Sequence, residues 1–228
     1  MYPKLKVGIN KEFDKIMCLK FLNKQKAGID FGAGIIKVHT GLQGIENKPL
    51  DDQEKQISNY FEEFYQSNII ELEKTRDKFT DDWNKIESDF FKLCNKYFGN
   101  LSWPEGRYIG FLSIISCNPR FLDEKTFQVY WKNKKGFVPV AVHEMLHFLF
   151  YHILLVNFSS VDVNNEEVWK LSEIFNILIL KQPDFVEVTN DPNPSQYPDL
   201  LGLQNKLDPV WQETKNANSF LQKSLNFR

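Results

Sequence analysis

Residues 137–156 form a twenty-residue apolar run with His143-Glu144-Met145-Leu146-His147 near its centre. A helix turns about 100° per residue, so positions four apart share one face. His143 and His147 can therefore aim two imidazole nitrogens at one point, with Glu144 close enough to reach a water held there. Two ligands and a general base make up a catalytic zinc helix. Val138-Pro139-Val140-Ala141-Val142 before the motif and Phe148-Leu149-Phe150-Tyr151 after it rule out a solvated surface helix. Pro139 suits a first helical turn, where its missing N–H is no loss. A Glu and two His inside such a helix need partners, because an unpaired buried carboxylate is costly. The competing reading is a core helix whose histidines are satisfied by hydrogen bonds; zinc is favoured over it.

The run is also long enough to span a membrane. Intramembrane metalloproteases carry HExxH within a spanning helix, but they need several further apolar spans, and the next run here, Ile177–Leu180, is far too short. A central helix buried in a soluble protein accounts for the same hydrophobicity, so no membrane partner is expected. With 228 residues and 42% hydrophobic content, the chain can bury one sizeable core plus a smaller lobe. Its formal net charge is −2, and its charges are interspersed without a basic stripe, so no nucleic-acid partner is expected. Cys18, Cys94 and Cys117 are widely spaced and unpatterned, as free thiols in a reducing compartment would be. The N-terminal residues carry charges every few positions and no apolar secretory core. These features together lead to a cytoplasmic expectation; oligomeric state is not legible.

The motif resembles that of the zincin metallopeptidases. The metzincin extension HExxHxxGxxH is not present, since positions 150 and 153 are Phe150 and Ile153. His152, nine residues from His143, falls about 180° round the helix and faces away. The resemblance is therefore to the Glu-zincins, and it implies a third ligand from a Glu on a following helix. That helix is expected after the polar break at residues 157–162, and it holds three competing carboxylates. Glu166 and Glu167 occupy its first turn behind an Asn164 cap, a capping-box and helix-dipole placement that explains them without metal. Glu173 lies mid-helix among Leu171, Ile174, Phe175 and Ile177, where a carboxylate is rarely left unpaired. It is the favoured third ligand, with Glu166 and Glu167 as the alternatives. Thermolysin-like enzymes usually carry an Asp one turn past this Glu to orient a ligand His. Here that position is Ile177, leaving Asn176 or a backbone carbonyl to hold the imidazole.

In zincins the motif helix packs under a small sheet whose edge strand binds substrate backbone. Residues 107–117 read as a buried strand, and residues 126–131 alternate Phe127, Val129 and Trp131 with Thr126, Gln128 and Tyr130, as a half-exposed strand should. Asn118-Pro119-Arg120 reads as a turn between them. An exposed edge here could accept an extended peptide by strand addition. Upstream, Phe79, Trp83, Ile86, Phe90, Leu93 and Tyr97 form the apolar seam of one long amphipathic helix stopped at Gly99. Residues 27–44 read as a strand at Ile35-Ile36-Lys37-Val38 between glycine turns, with His39 a surface or strand histidine. After Leu180 the prolines predict loop, then a last helix from about Asp199, interrupted near Pro209. Tyr197 is a candidate donor to a tetrahedral intermediate, in competition with Tyr151 and Tyr130.

The expectation is an α+β protein with a zincin-like core. Residues 1–50 would form an N-terminal segment, residues 51–99 a helical region, and residues 100–228 the metal-binding region, compact with 51–99. His143, His147 and Glu173 would hold Zn2+, and Glu144 would activate water against a peptide or protein substrate. The alternatives are a zinc-stabilised or vestigial interaction module without turnover, or a hydrolase of a non-peptide amide. Peptide deformylase also uses HExxH, but its glycine-rich and Cys-containing motifs are missing here.

Overall fold

The computed structural model describes residues 2–225. In chain order these form β1 (Leu5–Ile9), α1 (Lys11–Leu22), β2 (Gln25–Lys26), β3 (Ile29–Asp30), α2 (Phe31–Val38), α3 (Leu50–Phe98), β4 (Tyr108–Ser113), β5 (Arg120–Phe121), β6 (Thr126–Tyr130), α4 (Val138–Asn157), α5 (Glu166–Leu180), α6 (Pro183–Thr189), α7 (Leu201–Thr214) and α8 (Ala217–Leu225). The fold is α+β. Its main sheet has the order β1-β4-β6-β5, with β1, β4 and β6 parallel and β5 antiparallel to β6. Because Leu5 pairs with Tyr108 and Ile109 with Thr126, the N-terminal segment and the motif-bearing region share one sheet.

The apolar seam is part of a single 49-residue helix, α3, which also takes in residues 51–65. At 1.5 Å per residue it is roughly 70 Å long. Asp51 and Asp52 lie in its first turn and Lys96 in its last, each complementing the helix dipole. Gly99, at φ +68°, ends it in a conformation that a side chain disfavours. Phe79 of α3 stacks on Phe137 at the entrance of α4, with centroids 5.0 Å apart. Phe98 meets Phe175 of α5 edge-on at 5.6 Å.

One face of the sheet packs on α4, where Phe148 meets Tyr108 at 5.4 Å and Phe127 at 6.5 Å. Phe175 joins α5 to Phe150 of α4, Trp211 of α7 and Phe220 of α8, with centroids 5.2 to 5.7 Å apart. α4 is long and apolar enough to cross a membrane by length and composition, yet two-thirds of its apolar window (67%) is buried against these neighbours. The three cysteines are free and buried.

Several expectations are corrected. β6 is not half exposed: Thr126, Phe127, Gln128 and Val129 are all buried. The Gln128 amide donates to Asp14 of α1 at 2.7 Å, so the central polar position of the alternation meets a buried carboxylate instead of water. Nor is β6 an open edge. Its Gln128 N–H donates to the Pro119 carbonyl and its Tyr130 N–H to Asn118 Oδ1. The expected turn at 118–120 is thus the approach to β5, the short outer strand.

Residues 31–38 are helix, not strand. Asp30 caps them by accepting from Ala33 N at 2.9 Å, and Gly32 abuts the end of α1, where a Cβ would lie 1.8 Å from the Leu22 carbonyl oxygen. His39 is buried, its ring bonded to the Ile114 carbonyl and the Tyr60 hydroxyl. Residues 183–189 form a helix with Pro183 in its first turn, where proline costs nothing. Pro209 lies inside α7; the break comes at Lys215, which adopts φ +45°.

Candidate metal centre

α4 starts with Pro139 in its first turn and carries the motif into the space beneath β5. Its burial follows from the flanking residues: Ala141, Val142, Met145, Leu146, Phe148 and Leu149 all lie in the core. α5 starts at Asn165, whose side chain accepts from Glu167 N at 2.8 Å. The cap is therefore one residue later than the Asn164 expected, and it leaves no capping box.

The two helices bring His143, His147 and Glu173 together. The Nε2 atoms of His143 and His147 are 3.0 Å apart, and Glu173 Oε2 lies 3.3 Å and 3.5 Å from them. Ligands bonded at about 2.0–2.1 Å to a tetrahedral ion lie about 3.3 Å from one another, so the three atoms have the spacing of three corners of a zinc tetrahedron. Two imidazoles and one carboxylate are also a donor set that zinc takes. Glu166 and Glu167 stand apart on the surface, paired with Lys26 at 3.1 Å and Lys170 at 2.7 Å.

Glu144 is buried beside this group, and its Oε2 has no hydrogen-bond partner among the described residues. Burial raises its carboxyl above the ordinary value, partly offset by His143 and Arg120. Burial, reinforced by the Arg120 charge, pushes His147 down to about 3, keeping its imidazole neutral as a ligand must be. Burial also opposes protonation of His143, but its hydrogen bond to Glu173 and the charges of Glu144 and Glu173 hold it above the ordinary value. Glu173 is held well below the carboxylate range: burial opposes its ionisation, but the imidazole of His147 and the Arg120 guanidinium outweigh that.

Sequence reasoning missed Arg120. Its Nη1 donates to Glu173 Oε1 at 3.0 Å and lies 3.7 Å from Glu144 Oε2, and its guanidinium stands 6.0 Å from the Tyr151 ring centroid. One signal was available. Arg120 is one of four arginines among 28 basic residues, and a guanidinium is preferred over an ammonium wherever buried carboxylates must be gripped.

His143, Glu144, Glu173 and Arg120 line one cavity of about 660 Å3 together with Tyr151 and Tyr197, a size that suits a ligand of a few residues; His147 is fully buried and does not reach its wall. Tyr197 packs edge-on against Trp169 at 5.2 Å, and burial raises its hydroxyl pKa, so it stays a donor. Tyr151 also faces Ser172, 3.4 Å from its hydroxyl. Tyr130 and His152 are not among the lining residues. Asn176 donates to the His143 backbone carbonyl at 2.8 Å; His147 Nδ1 and Asn176 Oδ1 are buried without partners among the described residues. Cys117 lies in the wall, and burial holds its thiol above the ordinary range, which disfavours the thiolate a nucleophile needs. Comparison with protein-family models, curated proteins and solved structures gives no match to this chain.

Proposed function

We propose that this protein is a zinc-dependent peptidase with a zincin-like core, its metal held by His143, His147 and Glu173. The observation that carries the reading is the convergence of three ligand atoms at 3.0, 3.3 and 3.5 Å, with the buried carboxylate of Glu144 beside them, its Oε2 free of hydrogen bonds among the described residues. A hydrogen-bonded core cluster would explain the two histidines. It does not explain why Glu144 is kept in a cavity wall with a buried oxygen that has no hydrogen bond and only the Arg120 guanidinium, 3.7 Å away, to offset its burial.

When bound, zinc would act as a Lewis acid that lowers the pKa of water toward ~7 and polarises the substrate carbonyl. Glu144 takes one proton from the attacking water as its oxygen bonds the carbonyl carbon. The same carboxyl then delivers that proton to the departing nitrogen as the C–N bond breaks, leaving an acid and an amine. Tyr197 and Tyr151 are the hydroxyl groups in the wall that could meet negative charge developing on the carbonyl oxygen. The test is Glu144→Gln, which keeps size and hydrogen bonding but cannot shuttle a proton. Zinc-loaded wild type should cleave peptides from a random library, and the variant should retain zinc while turning over at least ~10²-fold more slowly. Equal cleavage by both proteins, or none by wild type, would overturn the peptidase reading.

A further inference from the structure

We infer that the cavity selects substrates carrying a carboxylate, received by the half-buried Lys24 together with the exposed Lys20. This rests on the peptidase reading for the identity of the ligand, but the argument is one of charge accounting in the wall. Five cations line the cavity. Lys26 pairs with Glu166 at 3.1 Å, Lys135 with Asp191 at 2.8 Å, and Arg120 with Glu173 at 3.0 Å. Asp30, the remaining acid besides Glu144, is engaged as the cap of α2 and by Gln25. That leaves Lys20 and Lys24 with no carboxylate within 4.0 Å among the described residues.

Neither lysine is placed at random. Lys20 closes the last turn of α1, and its ammonium lies 5.9 Å from the ring centroid of Phe121, the residue after Arg120 in β5. Lys24 is half-buried, with its ammonium 4.6 Å from the Phe21 ring centroid. Its backbone is fixed by hydrogen bonds to the Phe21 carbonyl and from Phe31 N. Burial and then the neighbouring charges of Lys26 and Lys20 lower its pKa, outweighing the opposite pull of Cys117 and Glu166. Arg120 supplies no further free charge, being shared between Glu173 at 3.0 Å and Glu144 at 3.7 Å. Metal loading would add positive charge to the cavity. A carboxylate entering this wall at Lys24 and Lys20 therefore meets two ammonium groups beside aromatic surface. A C-terminal carboxylate and an acidic side chain offer the same chemistry.

The experiment uses zinc-loaded Glu144→Gln protein, so that binding is read without cleavage. Four N-acetylated peptides of the sequence Gly-Phe-Ala-Xaa are titrated by calorimetry, with Xaa as Gln or Glu and the C-terminus as free acid or amide. Peptides with one carboxylate should bind about tenfold tighter than the neutral Gln amide, and the advantage should shrink as salt rises. A gain from the free acid alone identifies the terminus as the recognised group, and a gain from Glu alone identifies the side chain. In Lys20→Ala/Lys24→Ala protein the advantage should fall below twofold, and Lys24→Glu should favour a Lys-bearing amide, while zinc content stays at one per chain. Equal affinity for all four peptides, or a preference that survives the double substitution, would overturn the inference. Should wild type cleave nothing while these peptides still bind in a lysine-dependent way, the peptidase reading fails and the carboxylate site stands. Should it cleave neutral and acidic peptides equally well, the reverse holds.

Discussion

Arg120 and Glu173 share a single hydrogen bond, Nη1 to Oε1 at 3.0 Å, and it divides the carboxylate between two tasks. One oxygen is tied to the outer strand, and Oε2 is left 3.3 Å and 3.5 Å from the two imidazoles. A buried carboxylate held this way is pre-oriented to give a metal one oxygen. Arg120 is thus a positioning residue, and it brings a short outer strand of the sheet into register with helices α4 and α5. A guanidinium flanked by two buried carboxylates also offsets the desolvation of both.

Arg120→Met should lower zinc affinity by about 10- to 100-fold, the usual cost of losing a partner that orients a ligand. Competition with a chromophoric chelator measures this directly. Arg120→Lys should recover only part of the loss, because an ammonium cannot reproduce the planar grip. Zinc binding unchanged in Arg120→Met would show that the ion pair supports folding alone.

Purified protein should carry about one zinc per chain, and His143→Ala or His147→Ala should abolish stoichiometric binding. Elemental analysis of protein dialysed against zinc checks this. A chain that takes up no zinc would reduce the cluster to a set of hydrogen bonds, with the 3.0 Å His–His contact as its centre.

The third ligand separates cleanly from its rivals. Glu173→Ala removes the carboxylate that faces both imidazoles and should weaken zinc binding strongly. Glu166→Ala and Glu167→Ala remove exposed groups at a helix start, so each should cost only about 0.3–1 kcal/mol of stability and leave zinc bound. Chelator competition beside urea unfolding tells the two effects apart. Zinc lost on substituting Glu166 or Glu167 would show that a carboxylate now seen on the surface swings inward.

The helical parts of this site were legible because helical periodicity is a property of a continuous stretch. His143, Glu144, His147 and Glu173 could be placed on faces by counting residues, and so could the seam of α3. What lay beyond counting was anything set by tertiary partners. Arg120 looked like a turn residue because β5 is only two residues long, too short to leave a periodic trace. Gln128 looked solvent-facing because alternation cannot distinguish water from a buried polar group. Gly32 looked like a turn residue because its close approach to α1 is visible only once both elements are in place. Pro209 looked like a break, yet helix α7 continues through it.

Asp14 is the buried group with the clearest consequence for stability. Its carboxylate accepts from Ser113 Oγ at 2.6 Å, Gln128 Nε2 at 2.7 Å, Tyr65 Oη at 2.6 Å and Ile114 N at 2.9 Å, joining α1, α3, β4 and β6. Burial raises its pKa from 3.8 to about 6, against the pull of these four donors. The folded state therefore binds this proton more tightly than the unfolded chain does. The associated stability is complete below about pH 4 and is lost as pH rises through 6, a change of about 3 kcal/mol. Asp14→Asn should remove that slope. Its amide can donate to Ser113 Oγ and, after a flip of the Gln128 amide, to Gln128 Oε1, which is unpartnered in the native fold. Asp14→Ala strands all four donors and should cost at least ~3 kcal/mol. Urea midpoints of wild type and both variants, taken at pH 4, 5, 6 and 7 under one metal condition, decide the matter. If the difference between wild type and Asp14→Asn does not change across that range, Asp14 does not carry the proton.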